Sequence, residues 1–170
     1  CFLCFALKVQ RVDSAAINRI ANEAHWLQIL HPHRIGPRLY FFGHHFLLLQ
    51  RIRGERIRDF FTHVSLEEKR YVIREILRQC RTLDMLHVDK LEMHRPVKHI
   101  FITKRRKVIM IDFERCKYSQ KPKNVTQFIQ FLPKLGLSMG KDKLQKELSQ
   151  YKKDYSEQRY TTILKLLQIQ

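Results

Sequence analysis

The order of strand-like and helix-like segments constrains the fold more than any other feature of this sequence. Apolar runs of strand length predominate in residues 1–53, whereas residues 54–170 are mostly helical in periodicity and contain one hairpin. Strands segregated from helices in this way favour an α+β fold over a parallel α/β sheet. We therefore predict two lobes, a sheet-rich one at residues 1–53 and a helical one at residues 54–170.

The first lobe is predicted to contain three strands and one helix. They occupy residues 1–10 (strand), 15–30 (helix), 39–42 (strand) and 46–52 (strand). Asp13 or Ser14 is a suitable N-cap for the helix, and Pro32 ends it. Because the sequence starts inside the first strand, at Cys1 and not at Met, we expect further strands of this lobe upstream.

The second lobe is predicted to contain helices and one hairpin. Ser65, with Glu68 three residues later, is a capping box that opens a long helix reaching about Leu86. N-cap signals at Asn124 and Asp154 open two later helices. The predicted elements are helices near 57–61, 66–86, 125–135 and 155–169 and a hairpin at 100–112.

Charge is the strongest signal in the composition. The chain has 170 residues with 33 Lys and Arg against 16 Asp and Glu, which gives a net charge of +17. Such a charge indicates polyanionic partners, namely nucleic acid, nucleotide phosphates or an acidic protein. The basic hairpin turn at 104–107 could serve such a partner or could be an ordinary solvated turn.

Cysteine and histidine usage argues against disulfides and zinc. The four cysteines are too few and too scattered for a disulfide framework. Cys1 and Cys4 have the spacing of a redox or zinc pair, but their apolar surroundings favour a buried strand. The histidines of the segments 31–33 and 44–45 lie in turns without a cysteine or an acid at ligand spacing. With no signal peptide and no apolar run of membrane-spanning length, a cytoplasmic protein without membrane contact is predicted.

The residue with the clearest chemical potential is Asp112. It follows the apolar strand 108–111, and a carboxylate that leaves a strand for a loop is a hard oxygen ligand suited to Mg²⁺. A turn cap is the simpler interpretation of an isolated aspartate. A metal site at Asp112 is favoured over a turn cap by the order of the elements: Lys8 lies in a strand, Glu23 in the next helix and Asp112 after a hairpin.

This order resembles the protein-kinase fold over about residues 1–115. Ala6-Leu7-Lys8-Val9 is similar to the strand with the phosphate-binding lysine, Glu23 to its helix partner, and residues 46–54 to the last strand and hinge of the N-lobe. Asp112-Phe113-Glu114 stands where kinases have Asp-Phe-Gly.

Four motifs resemble a narrower group, the archaeal family of predicted serine/threonine protein kinases. That family is distantly similar to the RIO kinases and to the small kinase of the KEOPS tRNA-modification complex. The motifs are Leu83-Asp84-x-Leu86, Glu92-Met93-x-Arg95-Pro96-x-Lys98-His99, Asp112-Phe113-Glu114-Arg115 and Asn124-Val125-Thr126-Gln127-Phe128.

The resemblance implies a two-lobed protein-kinase-like fold with a truncated N-lobe and a small helical C-lobe. It implies an ATP- and Mg²⁺-dependent atypical serine/threonine protein kinase, whose partners are ATP and a protein hydroxyl. Lys8 would neutralise phosphate charge, Glu23 would hold Lys8, and Asp112 would bind the metal. Lys98 could meet a phosphate as a point charge.

The sequence departs from the kinase pattern in its catalytic loop. No Asp lies between Lys90 and His99, and His99 stands where kinases have a metal-binding Asn. His99 could bind the metal, which would favour Mn²⁺, or could orient a phosphate. Glu92 is our candidate for the catalytic acid/base because it is a carboxylate, with His94 as the alternative.

Further departures keep other functions open. The Gly-rich phosphate loop and an Ala-Pro-Glu motif are absent from the sequence. One alternative is a kinase-fold module with little catalysis that binds RNA, DNA or an acidic partner. Another is a small-molecule kinase of the aminoglycoside or lipopolysaccharide kinase type. A kinase requires Asp112, whereas a nucleic-acid module requires its Lys and Arg clusters.

Overall fold

The structure is a computed structural model that describes residues 5–10, 18–137 and 141–169. Helices and small antiparallel sheets make up these residues, which confirms the predicted α+β class. In chain order the elements are β1 (Phe5–Val9), α1 (Arg19–Leu30), β2 (Leu39–Phe42), β3 (Phe46–Gln50), β4 (Gly54–Arg56), α2 (Ile57–Phe60), α3 (Leu66–Met85), β5 (Val88–Asp89), β6 (Ile100–Thr103), β7 (Val108–Met110), β8 (Lys117–Tyr118), α4 (Asn124–Phe131), α5 (Lys141–Asp154) and α6 (Glu157–Leu166).

The chain divides into two compact units. The first is formed by Cys1–Arg56 with Lys98–Cys116, and the second by Ile57–Val97 with Lys117–Gln170. The hairpin of β6 and β7 therefore belongs with the N-terminal strands, whereas the sequence analysis placed it in the helical lobe. The physical reason is the pairing of β4 with β6, which joins the hairpin to the N-terminal segment.

One sheet and one helix form the N-terminal part of the first unit. The sheet has the antiparallel order β1-β3-β2, and α1 contacts β2 and β3. These four elements were predicted. The helix ends at Leu30 and a 3-10 turn follows at His31–His33, as Pro32 indicated. The predicted N-caps Asp13 and Ser14 and the Cys1/Cys4 pair lie outside the described residues.

The two faces of this sheet differ in burial. Leu47 and Leu49 of β3 are buried with the apolar face of α1. On β1, in contrast, Phe5, Leu7 and Val9 alternate with their neighbours and are exposed. The core of this part of the unit therefore lies on the side of the sheet that α1 covers.

The second sheet of the first unit has the order β4-β6-β7. The hairpin of β6 and β7 was predicted, but β4 was not, because its three residues contain no apolar side chain. Gly54 pairs with Thr103 at the end of this sheet. A Cβ atom on Gly54 would lie 2.5 Å from the Ile102 carbonyl oxygen, so the close approach of the strands requires glycine.

Helix α3 begins with the predicted capping box. Ser65 Oγ accepts a hydrogen bond from the Glu68 amide at 3.2 Å, and Glu68 Oε2 accepts one from the Ser65 amide at 3.2 Å. The helix then runs to Met85. Its buried apolar face consists of Val72, Ile73, Ile76, Leu77, Cys80 and Leu83.

The later helices begin elsewhere than predicted. Asn124 is the first helical residue of α4 and not its N-cap, because its side chain bonds to backbone groups of the loop after α3. Asp154 ends α5, a helix the sequence analysis missed, and the N-cap of α6 is Ser156. Within the described residues, no helix is both long enough and apolar enough to cross a membrane.

Candidate functional site

Three acidic side chains of the first unit surround the ammonium group of Lys8. Its Nζ atom lies 2.6 Å from Glu23 Oε2, 3.0 Å from Asp112 Oδ1 and 3.0 Å from Glu114 Oε2. Lys8 is the fourth of the five residues of β1 and lies opposite Leu47 of β3. A helix, a strand and the segment after a hairpin thus bring their charged groups to one point.

Glu23 connects the helix to the segment after β7. Its side chain is only 2% exposed. One carboxylate oxygen accepts a hydrogen bond from the Lys8 ammonium, and the other accepts one from the Phe113 amide at 3.1 Å. Both carboxylate oxygens therefore have a hydrogen-bond donor, as a buried carboxylate requires. This arrangement fixes Asp112 and Phe113 with respect to Lys8.

Side chains of α1 hold the backbone that follows Asp112. Asn22 Nδ2 donates to the carbonyl oxygens of Glu114 and Cys116 at 2.8 and 3.1 Å. Trp26 Nε1 donates to the Cys116 carbonyl oxygen at 2.9 Å. The segment after β7 is therefore attached to the helix through backbone groups, so its path is fixed independently of its own side chains.

Asp112 has an unusual backbone conformation. Its φ is 65°, in the left-handed region that aspartate tolerates better than most residues. This turn directs Phe113 into the core, where it is fully buried beside Gly36. The Asp112 side chain remains 32% exposed, so it is accessible to a ligand.

The carboxylates keep Lys8 positively charged. Partial burial lowers the pKa of the Lys8 ammonium, but the charge and hydrogen bond of Glu23, with Glu114 and Asp112, raise it above its ordinary value. The net shift is upward. Lys8 therefore stays positively charged at neutral pH. It can bind an anion but cannot act as a general base.

His99 lies next to this group. The Ile111 amide donates to the His99 carbonyl oxygen at 2.9 Å, which extends the pairing of the hairpin and brings His99 beside Asp112. His99 Nδ1 is 3.7 Å from Asp112 Oδ2. Lys98 precedes it and is exposed.

The carboxylates could hold a divalent cation. Glu23, Asp112 and Glu114 each offer one oxygen, and these oxygens lie within 4.8 Å of one another. Oxygen ligands of this kind suit Mg²⁺ or Mn²⁺. Lys8 neutralises part of their negative charge, and it would have to exchange a carboxylate partner if a metal and a phosphate were both bound.

Glu92 and His94 lie in the second unit. They belong to the loop after β5, where the Glu92 amide donates to the Lys90 carbonyl oxygen at 2.8 Å. The His94 Nδ1 atom is 3.0 Å from the Leu91 carbonyl oxygen, which can only accept, so this nitrogen carries the proton in that contact. The choice between Glu92 and His94 stays a prediction.

Two of the sequence motifs meet in a buried network below this loop. Asp84 Oδ1 accepts from the backbone amide and the side-chain amide of Asn124 at 3.0 and 2.8 Å, and Asp84 Oδ2 accepts from Tyr151 Oη at 3.1 Å. Asn124 in turn accepts the Lys90 amide at 3.0 Å and donates to the Val88 carbonyl oxygen at 2.6 Å. The network therefore fixes the backbone of the loop that carries Glu92.

Some residues of the first-unit site were not predicted. Glu114 contacts Lys8 and also Arg19, whose Nη1 atom is 3.2 Å from Glu114 Oε1. The only sequence signal for Glu114 was its position where kinases have glycine. Asn22 gave no signal because it bonds to backbone groups far away in the sequence, and Gly36 gave none for the site because it packs on the distant Phe113 ring.

The comparisons with known proteins give no family assignment. A scan against protein-family models finds no match, and a search of curated protein sequences finds no significant match. The function must therefore be argued from the residues themselves.

Proposed function

We propose that this protein is an ATP- and Mg²⁺-dependent phosphotransferase, an atypical serine/threonine protein kinase with a two-lobed protein-kinase-like fold. One observation carries the proposal. Lys8 Nζ lies 2.6 Å from the buried Glu23 carboxylate and 3.0 Å from Asp112, the residue that stands where kinases bind the metal. The sequence resemblance supports the same assignment.

The chemistry of phosphoryl transfer suits these groups. Catalysis of this reaction consists mainly of positioning and of neutralising phosphate charge. Lys8 supplies a permanent positive charge, and Asp112 and Glu114 supply oxygens for Mg²⁺. A bound Mg²⁺ would neutralise phosphate charge and orient the nucleotide.

Glu92 is proposed to orient the substrate hydroxyl and to accept its proton, with His94 as the alternative. A carboxylate is the usual residue in this role. His94 has one ring nitrogen in contact with the Leu91 carbonyl oxygen, which leaves the other for proton transfer. Activity of Glu92→Gln and His94→Gln variants distinguishes the two, because only one of them should abolish turnover.

The first experiment measures transfer of the labelled γ-phosphate of ATP to the protein itself and to casein, with Mg²⁺ or Mn²⁺. The Asp112→Asn variant keeps the shape of the side chain and should lose about 100-fold or more in rate. The matched control is Asp142→Asn, an exposed aspartate in the first turn of α5.

Metal-dependent labelling that Asp112→Asn removes and Asp142→Asn retains supports the kinase. Equal labelling by both variants refutes a role for Asp112. Absence of labelling in all three proteins, with nucleotide binding intact by calorimetry, refutes the phosphotransferase and favours a binding module.

A further inference from the structure

A cluster of basic side chains lies at one end of the second sheet of the first unit, where β6 turns into β7. The turn consists of Lys104, Arg105, Arg106 and Lys107, and all four are exposed. This position is separate in sequence from the residues around Lys8. It therefore requires its own explanation.

The pairing of β4 with β6 brings a second basic segment to the same end. Gly54 lies opposite Thr103 in the antiparallel pair of β4 and β6. Arg53, which precedes Gly54, therefore lies beside Lys104, which follows Thr103. Adjacent strands lie about 5 Å apart. Arg51 and Arg53 are both exposed. We call these two arginines and residues 104–107 the basic edge.

Hydrogen bonds fix the backbone of the turn that carries the four cations. The Thr103 amide donates to the Lys107 carbonyl oxygen at 2.9 Å, and the Arg106 amide donates to the Thr103 carbonyl oxygen at 2.9 Å. The Lys107 amide also donates to Thr103 Oγ1 at 3.1 Å. Four like charges in a short, closed turn repel one another, and a bound polyanion relieves that repulsion.

The two segments that form the basic edge contain little opposing charge and no large exposed apolar side chain. Residues 51–56 and 103–107 include one acidic residue, Glu55. None of the large exposed apolar side chains of the described residues lies in these two segments. Protein interfaces have an apolar centre, whereas nucleic-acid interfaces are more polar and much more positive. The composition of the edge therefore matches a nucleic acid better than an acidic protein.

We propose that the basic edge binds the phosphate backbone of a nucleic acid. Arg fits a phosphate with two parallel hydrogen bonds, and three or four of the six side chains reaching successive phosphates would suffice for non-specific binding. With no exposed large aromatic side chain in the two segments, the contact involves phosphates and not stacked bases. This inference is independent of the proposed kinase activity.

The test measures binding of fluorescein-labelled 20-mers by anisotropy between about 50 and 300 mM NaCl. The probes are single-stranded RNA, duplex RNA and duplex DNA. The variant K104Q/R105Q/R106Q/K107Q removes four charges from the edge. The control K143Q/K146Q/K152Q/K153Q removes four charges from exposed positions of α5, so both variants have the same net charge. Circular dichroism melting confirms that each variant is folded.

If the proposal is correct, the edge variant binds at least about ten-fold more weakly at low salt, and its slope of log affinity against log salt is smaller by about 3. The control retains most of the affinity and the slope. The preference among the three probes identifies the form of nucleic acid.

Two results would overturn the proposal. Equal losses in the two variants would show that net charge and not the edge determines binding. Displacement of the nucleic acid by poly-glutamate at equal charge concentration would show that the edge is not selective for phosphates and that an acidic protein is the better candidate.

Discussion

At the scale of single residues, Lys8 is the charge on which the first-unit site depends. Its ammonium group is surrounded by Glu23, Asp112 and Glu114, and two-thirds of its side chain is shielded from water, with 34% exposed. Without this cation, three carboxylates would remain close together and one of them would be buried. The lysine therefore stabilises the fold as well as preparing an anion site.

We predict that Lys8→Met lowers the free energy of unfolding by about 2 kcal/mol at pH 7. Breaking a fully buried ion pair costs about 3–5 kcal/mol, and the partial exposure of Lys8 reduces that value. Urea denaturation of the wild-type protein and the variant at pH 7 measures this loss.

The control for this prediction is Lys134→Met, which replaces an exposed lysine in the 3-10 turn after α4. It should change the free energy of unfolding by less than about 0.5 kcal/mol. Equal effects of the two substitutions would contradict the role assigned to Lys8.

Asp84 is a buried carboxyl group of the second unit with a shifted pKa. Burial raises the pKa of its carboxyl to about 6, although hydrogen bonds from Asn124, Val125 and Tyr151 oppose the rise. Because the folded pKa lies above the unfolded value of 3.8, the folded protein binds the proton first. The contribution of Asp84 to stability therefore increases as the pH falls from 6 towards 4, and it decreases as the pH rises through that range.

We predict an apparent pKa near 6 for Asp84 in a carbon-detected NMR titration of the carboxyl groups. A titration of Asp84 below pH 4 would show that its four hydrogen bonds outweigh its burial.

At the scale of elements, Gly36 determines how the turn after α1 packs on the segment after β7. Its φ is 84°, and a Cβ atom there would lie 2.8 Å from Leu27 Cδ2 and 3.0 Å from Phe113 Cε2. Alanine would therefore be strained in its backbone and would also displace Phe113, whose neighbour is Asp112.

We predict that Gly36→Ala lowers the free energy of unfolding by about 2 kcal/mol or more. Gly136→Ala is the matched control, since Gly136 has a φ of 78° but no atom lies within 4 Å of its added Cβ. The control should cost only about 1 kcal/mol, from the backbone alone. Thermal melts of the two variants compare these costs, and equal shifts would contradict the steric argument.

The elements that the sequence predicted well are those with local signals. Helix α3 has a capping box and an apolar face, and the β6–β7 hairpin has two apolar strands around a polar turn. The strands that were missed lack such signals. Strand β4 has no apolar residue, and β8 has two residues with exposed side chains. Their pairing depends on distant partners, since Gly54 pairs with Thr103, 49 positions away, and Val88 pairs with Tyr118, 30 positions away.

The same distinction applies to the site. Lys8, Glu23 and Asp112 were grouped by their order along the chain, and the structure brings their side chains together. Glu114 and Asn22 were not grouped with them, since their contacts follow from where the backbone turns after β7. The sequence predicted Asn124 as a helix N-cap. In the structure its side chain bonds instead to backbone groups of Val88 and Lys90, in a distant loop.

At the scale of the whole molecule, the net charge of +17 opposes compaction. We predict that raising NaCl from about 20 to 300 mM increases the melting temperature by about 2–4 °C, because the shorter screening length weakens repulsion. Calorimetry at each salt concentration measures the shift. The K143Q/K146Q/K152Q/K153Q variant should respond less, and a melting temperature that falls with salt would contradict the prediction.

The first unit is discontinuous in sequence, since Lys8 and Asp112 are 104 positions apart and residues 57–97 belong to the other unit. During synthesis, β1, α1, β2 and β3 leave the ribosome long before β6, β7 and Phe113 exist to complete their core. The core of the first unit therefore cannot be completed until about residue 116 has emerged. Because contacts of such long sequence separation slow folding, we expect the first unit to acquire its native packing only after synthesis of its second segment, residues 98–116.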